Sequence, residues 1–330
     1  MKRAYVRWTG YRSALGPGIQ RYLETKRALG RRFGNEERAL RLFDRFLADA
    51  GVSIEEITTA AIDTFLVSRR RSSARSYNHL LGVVRRVLEW LAVQGVPGVL
   101  QYRGRSRRET GRRIPVILDD AHAQRLLDAA GRLPDGSRSR LRGPTYRMVF
   151  AILYGLGLRV GEVSRLEVGD VDLDRDLLSV RRTKFGKDRL VPFGPRLAVS
   201  LRAYLDVRRK AGFPSSPEAP LLSLNRRSAI STNSIRRVFQ QLVHDEEIPR
   251  SASGSRARVH DLRHTFAVST LLHWYQQRVN PAERLHHLST FLGHVNPRAT
   301  AVYLTITSEL LEEANRRFAA LASTTLEGAA

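Results

Sequence analysis

His260-Asp261-Leu262-Arg263-His264-Thr265-Phe266 carries more information than any other run in this chain of 330 residues. The pattern around it predicts a helix over Val259–Tyr275, on which His260 and Arg263 stand three apart and share a face. Upstream, Gly155-Leu156-Gly157-Leu158 leads into Arg159 and a helix start, with Glu162 three residues further on. Downstream, Leu292-Gly293-His294 is followed nine residues later by Tyr303. A guanidinium presents a rigid fork of donors that matches two phosphate oxygens at once. Two such arginines therefore suit a phosphodiester whose charge grows under attack. A phenol is among the side chains able to form a covalent intermediate. Arginines, imidazoles and a phenol together make a phosphate-handling set.

The bulk charge agrees. Lys+Arg 56 against Asp+Glu 32 leaves +24 at pH 7, as expected of a protein with a polyanionic partner. The excess is densest early: residues 1–113 hold 24 basic and 10 acidic residues, net +14, and residues 114–330 hold 32 and 22, net +10. Only five of the 56 are lysine, a bias towards arginine that by itself raises the net charge. Without cysteine there are no disulfides and no thiolate zinc sites. No stretch approaches the roughly 20 apolar residues that span a bilayer, and no apolar signal core follows the N-terminus. The expected place is the cytoplasm, in association with the nucleoid. The length suggests about two domains.

The first hundred residues read as four amphipathic helices. Pro17 sits where a first-turn proline belongs, with Ile19, Tyr22 and Leu23 following towards Gly30. Leu40, Phe43, Phe46, Leu47 and Ala50 mark a second helix, stopped by Gly51. Thr59 caps a third through Ile62, Phe65 and Leu66. Tyr77, Leu80, Leu81, Val84, Leu88 and Leu91 draw the fourth, whose opposite face carries Arg75, Arg85 and Arg86. These helices make one small bundle, the domain 1–100. Periodicity then stops. Residues 101–113 read as an exposed basic linker able to lie along a phosphate backbone. Arg103, Arg105, Arg107 and Arg108 there join Arg75, Arg85 and Arg86 as candidate DNA contacts.

Residues 114–330 read as a mostly helical second domain. Helices are predicted at Asp119–Ala130, Thr145–Leu156, Gly161–Leu166, Pro195–Ala211, Ser231–Glu246, Pro281–Phe291 and Ser308–Leu321, besides the one above. Leu177–Arg182 and Arg189–Phe193 read as strands around the turn Phe185-Gly186-Lys187-Asp188.

With these residues in place, the chain resembles the tyrosine recombinase (integrase) family of phages and transposons. Gly155 to Val163 looks like its first conserved box, and Lys184 ahead of Arg189-Leu190-Val191-Pro192 looks like its β-hairpin. His260 to Ala267 looks like the second box, and Leu292-Gly293-His294 with Tyr303 like the last. The four motifs follow in the family's order across about residues 112–305. The resemblance implies a mainly α fold with a small β-hairpin. It implies an N-terminal four-helix, SAM-like core-binding domain and a C-terminal catalytic domain. The implied activity is site-specific cutting and rejoining of double-stranded DNA through a 3′-phosphotyrosyl intermediate, without metal or cofactor. A homotetramer on two synapsed sites would carry it out, with accessory recombination proteins as further partners. The long segment Leu271–Leu288 is more similar to transposon-encoded members than to the chromosome-dimer-resolving Xer type, which points to a mobile element.

Carried over residue by residue, Tyr303 is the nucleophile, and Arg159 and Arg263 clamp the non-bridging oxygens. His260 donates to the phosphate or accepts the tyrosine proton, and His294 adds a second donor. Lys184 protonates the leaving 5′-oxygen, with Lys187 on the same turn as its alternative. Glu162 supports the site by orienting a histidine. His264, His273, His286 and His287 are assigned to packing or surface. His260 and His264 also have HxxxH spacing, but Asp261 stands where a zincin has Glu, and Arg263 would sit beside the cation. The amphipathic stripe Leu310, Leu311, Ala314, Phe318 and Leu321 corresponds to a helix that docks in a neighbouring protomer in the family; packing in cis is the alternative. The same chemistry serves type IB topoisomerases, and a silenced scaffold that only binds DNA is a third reading.

Overall fold

The computed structural model describes residues 10–31, 33–54, 56–71, 73–97, 101–108, 113–137, 139–181, 188–251, 254–294, 296 and 298–305. The chain divides into two compact units, residues 1–112 and 113–330, each with its own core.

The first unit is built on α1 (Gly16–Ala28), α2 (Gly34–Asp49), α3 (Thr59–Ser68) and α4 (Ala74–Val93). Helix α3 starts one residue earlier than its composition suggests, because the Thr58 hydroxyl accepts the Ala61 N–H; Ser73 caps α4 in the same way. Ile19, Leu40, Phe43, Phe65, Val84 and Leu88 meet in a core sealed from solvent. Buried Asp44 accepts the backbone N–H groups of Arg12 and Ser13 and the Ser13 hydroxyl, tying the entering chain to α2.

Residues 101–108, read from the sequence as an exposed linker, fold back on this bundle. Tyr102 is buried in its core and donates its hydroxyl to Asp63. The Asn78 amide brackets Arg107, donating to its carbonyl at 2.8 Å and accepting its N–H at 2.7 Å. The Arg107 guanidinium lies 3.9 Å from the Tyr77 ring centroid. Arg85 donates to the Gly104 carbonyl at 2.5 Å, so it is half-buried and committed inside the unit. Arg75, Arg86, Arg103, Arg105, Arg107 and Arg108 are exposed. One apolar ring anchors a stretch that is otherwise polar and aperiodic, which is why pattern alone misses the docking. Residues 109–112 lie outside the described residues.

The second unit contains α5 (Asp120–Gly131), α6 (Arg142–Leu156), the single turn α7 (Val160–Val163), β1 (Val171–Asp172), β2 (Leu177–Val180) and β3 (Arg189–Pro192). It continues with α8 (Pro195–Lys210), α9 (Thr232–Asp245), α10 (Val259–Gln276), α11 (Pro281–Leu292), α12 (Arg298–Ala301) and a 3₁₀ turn, Val302–Thr305. Helix α6 is mostly apolar, with Tyr146, Val149, Phe150, Ile152, Leu153 and Leu156 buried, and it is the central helix against which α5, α8 and α10 pack. The predicted hairpin has a third strand: the order is β1-β2-β3, antiparallel, with Val171 opposite Leu178 and Leu178 opposite Val191. The predicted turn with Lys184 and Lys187, and the predicted helix Ser308–Leu321, lie outside the described residues.

Two ties fix the start of α10. Asp261, buried, accepts the Arg258 N–H at 2.9 Å and pairs with Arg113 at 3.4 Å. One turn on, the Thr265 hydroxyl accepts the Leu118 N–H at 3.1 Å.

Candidate active site

Two helix ends and one helix face assemble the site. Helix α6 ends on Gly157 and α11 on Gly293, both left-handed, with φ +58° and +67°. A Cβ on Gly157 would stand 2.6 Å from Phe266 Cδ1, and one on Gly293 would stand 2.9 Å from Arg189 Nη1. Glycine is therefore required at both places by conformation and by space. The last carbonyls of a helix have no intrahelical partner, and the helix dipole favours a cation there. Three guanidiniums take them. Arg263 donates to Gly157 O and Leu292 O, each at 2.7 Å. Arg159 donates to Gly293 O at 2.8 Å, and Arg189 Nε donates to Phe291 O at 2.9 Å.

Glu162 locks two of these arginines together. It is 4% exposed and accepts the Arg159 backbone N–H at 3.0 Å and Arg159 Nη1 at 2.9 Å. It also receives both terminal nitrogens of Arg189, at 3.2 and 2.9 Å. Burial alone would raise its pKa; the bonds and charge of Arg189, then the bonds of Arg159, outweigh that and hold the carboxyl down to about 2. The expectation that Glu162 orients a histidine is corrected: β3 brings Arg189 to it, and its oxygens go to arginines.

Arg263 lies deepest, 1% exposed, while the Arg159 side chain is 29% exposed, so the pair of arginines has a floor and a rim. Desolvation, then the neighbouring Arg159 charge, pushes Arg263 down to about 10. Its buried Nε has no hydrogen-bond partner among the described residues. A guanidinium has five N–H donors, and carbonyls occupy two nitrogens here, so donors remain for an anion.

Tyr303, in the 3₁₀ turn, is 3% exposed and packs on Ala267, Val268, Leu271, Leu288 and Leu292. Its Oη lies 3.0 Å from His264 Nδ1. The His264 ring stands edge-to-face with His260, centroids 4.7 Å apart, and the His294 ring lies nearly parallel to Tyr303 at 6.4 Å. His294 Nδ1 and the buried Thr300 hydroxyl are hydrogen-bond partners at 2.7 Å. Desolvation, followed by nearby charges and rings, pushes all three imidazoles down to about 4, although the outer edge of His260 remains exposed. All three are neutral at pH 7. Burial raises the Tyr303 phenol above its ordinary range, against the opposing pull of Arg263 and Arg159, so it keeps its proton there.

The fold thus brings Arg159, Glu162, His260, Arg263, His294 and Tyr303 together. It adds three residues the sequence reading passed over: Arg189, His264 and Thr300. His264, assigned to packing or surface, meets the phenol instead, because one helical turn separates it from His260 on the same face. That spacing was visible, but only as a possible metal pair. Among the described residues, no group of three His, Asp or Glu could hold a metal ion, and no helix is long and apolar enough to cross a membrane.

Comparison with known proteins follows the same lines. Residues 117–309 match the phage integrase family. The chain is 35% identical over 309 residues to the integrase/recombinase y4rE of Sinorhizobium fredii (strain NBRC 101917 / NGR234), covering 94% of this chain and 97% of that protein. The integrase of the transposon Tn1549, solved with a circular intermediate DNA, superposes with a TM-score of 0.63 at 17% identity, covering 91% of this chain and 99% of that one. A lambda integrase tetramer bound to a Holliday junction gives 0.60 at 18% identity, covering 86% and 78%. At such identities the two structures speak for the fold alone. The family match spans more than half of the sequence and the S. fredii relative nearly all of it; the chain belongs to the phage integrase family.

Proposed function

We propose that this protein is a tyrosine-type site-specific DNA recombinase serving a mobile element, and that it works through a 3′-phosphotyrosyl ester on Tyr303. The observation that carries this reading is the company of the Tyr303 oxygen: a buried phenol beside Arg263, with Arg159 on the adjoining carbonyl and neutral imidazoles around it. In the proposed step Oη gives its proton to a neighbouring neutral imidazole as it bonds to phosphorus, the bond to the 5′-oxygen breaks, and its electron pair leaves on that oxygen. Arg159 and Arg263 hold the non-bridging oxygens, where losing one preorganised donor typically costs ~10²–10³ in rate. With Thr300 on its Nδ1, His294 has Nε2 to offer the phosphate, and His260 does the same from the rim. Lys184 protonates the leaving oxygen, a task arginine does not perform near neutral pH. The ester conserves the energy of the phosphodiester, so religation needs neither ATP nor metal.

The first unit supplies the grip on duplex DNA. Arg75, Arg86, Arg103, Arg105, Arg107 and Arg108 are the exposed cations we assign to phosphate contacts; Arg85 leaves that set. Binding then weakens steeply with salt, because each neutralised phosphate releases counterions. By extension from the lambda integrase tetramer bound to a Holliday junction, four protomers synapse two sites. Incubation with a pool of nicked suicide duplexes of randomised sequence tests the proposal. A covalent DNA adduct mapping to the Tyr303 peptide, and lost in Tyr303→Phe, is the expected result; an adduct that persists in Tyr303→Phe refutes the assignment.

A further inference from the structure

We propose that His264 is a positioning residue for the nucleophile: its Nδ1 accepts the phenolic hydrogen of Tyr303 and so fixes where the lone pairs of Oη point. The inference rests on the strand-transfer reading above and adds to it a residue of the second box that the carry-over assigned to packing or surface. Three observations carry it.

The first is the contact itself, 3.0 Å between two groups largely withdrawn from water. The second is its direction. Arg263 stands beside the phenol, and a guanidinium can only donate. The neutral imidazole is then the acceptor available for the single phenolic hydrogen, which leaves the lone pairs of Oη towards the arginines. The third is division of labour among the rings. His294 gives its Nδ1 to Thr300 and meets Tyr303 only face to face, while His260 stands at the exposed rim. His264 is braced from behind by the edge-to-face contact with His260, so its nitrogen is held in one place.

A tyrosine hydroxyl rotates about its C–O bond, and only one setting leaves a lone pair in line with an approaching phosphorus. Removing the acceptor frees that rotation and the ring with it. Small displacements of a reacting atom typically cost ~10²-fold in rate.

The test uses the full chain and three substitutions. The asparagine amide falls near Nδ1 of the ring it replaces, the glutamine amide near Nε2, and leucine offers neither. On a duplex selected from the randomised pool, adduct formation should slow ~10²-fold in His264→Leu and His264→Gln. In His264→Asn it should stay within about fivefold of the parent, the worth of one imperfect hydrogen bond. Duplex affinity should be unchanged in all three, which separates positioning from loss of fold. Asn as slow as Leu, or Leu as fast as the parent, would overturn the proposal. A second arm needs no DNA: the fluorine resonance of 3-fluorotyrosine at position 303 should move in His264→Gln and return in His264→Asn. Resonances that coincide in all forms would also overturn it. If the parent protein forms no adduct with any duplex, the recombinase reading fails, and the fluorine arm still decides the contact.

Discussion

Arg189 is the residue whose removal should be felt most in stability, and Arg189→Met tests why. The change deletes two hydrogen bonds to Glu162, at 3.2 and 2.9 Å, and one to the Phe291 carbonyl, while keeping an apolar stem of similar length. Glu162 stays buried with Arg159 as its remaining cation. Two routes give the size of the loss. Taking one partner from a buried ion pair costs about 3–5 kcal/mol, because the other charge is left in a poor solvent. Independently, a carboxyl held at about 2 against an ordinary 4.5 represents roughly 3 kcal/mol, the net of what Arg189 and Arg159 contribute against the cost of burying the carboxylate. The folded value lies below the unfolded one, so this stability is fully present above pH 4.5 and is lost as pH falls towards 2. For a unit of roughly 200 residues, ~3 kcal/mol lowers the melting midpoint by ~6–12 °C. Calorimetry of the full chain at pH 7 and at pH 3.5 should show that deficit at the first pH and a smaller one at the second. A cycle with Glu162→Gln should return a coupling of ~1–3 kcal/mol. A deficit below about 2 °C at pH 7, or one indifferent to pH, would refute the reasoning.

Three further outcomes follow from the same geometry. Arg263→Lys should slow adduct formation ~10²-fold or more, since an ammonium cannot bridge Gly157 O and Leu292 O and still present a fork to phosphate; single-turnover kinetics on the selected duplex decide it. The melting midpoint of the catalytic unit should fall as pH drops from 6.5 to 4. His260, His264 and His294 sit near 4 when folded, so the unfolded chain binds more protons across that interval; Asp261, raised by burial, works the other way but is one group against three, and a flat midpoint would contradict this. Lys184→Ala should cripple cleavage of ordinary DNA and recover on a 5′-thio leaving group, which needs no proton; absence of recovery moves the role to Lys187.

What could be read in advance follows the physics of each signal. Helices α2 and α4 announce themselves because their apolar residues repeat at helical spacing, and the order of the boxes follows from short local strings. The docking of Tyr102 was hidden because one ring in a glycine- and arginine-rich stretch has no period. The third strand was hidden because Val171–Asp172 is too short to alternate. Arg189 was in view as the start of a strand, but its partner lies 27 residues away across a hairpin, a separation that no local pattern encodes. The anchoring of Arg263 was unreadable for a different reason: its partners are carbonyls, and every residue has one. Glu162 meets Arg159 as the i,i+3 spacing suggests, but that spacing says nothing of a third group arriving from β3. Failures of this kind gather where local rules yield to function.

The carbonyl anchors bear on why such a site survives folding. Arg159 and Arg189 share one carboxylate and Arg263 stands on carbonyls beside them, so three guanidiniums face a single negative charge, one of them on a side chain only 1% exposed. Desolvation, then the Arg159 charge, depress Arg263 from 12.5 to about 10, a net cost to its charged form on the order of 3 kcal/mol. Against it stand the ends of α6 and α11, where a partly buried cation gains up to ~2 kcal/mol from the helix dipole. The balance is therefore close, and it is local. A phosphodiester laid against Arg159 and Arg263 would add the missing negative charge with the donors already fixed in place, so little of its binding energy goes into reorganisation. The gain grows as attack adds charge to the phosphate, because fixed donors in a water-poor site respond to charge more strongly than water does. In the proposed reaction, the same excess of guanidinium would thus favour the transition state over the bound substrate, which is the condition for raising the rate of the chemical step.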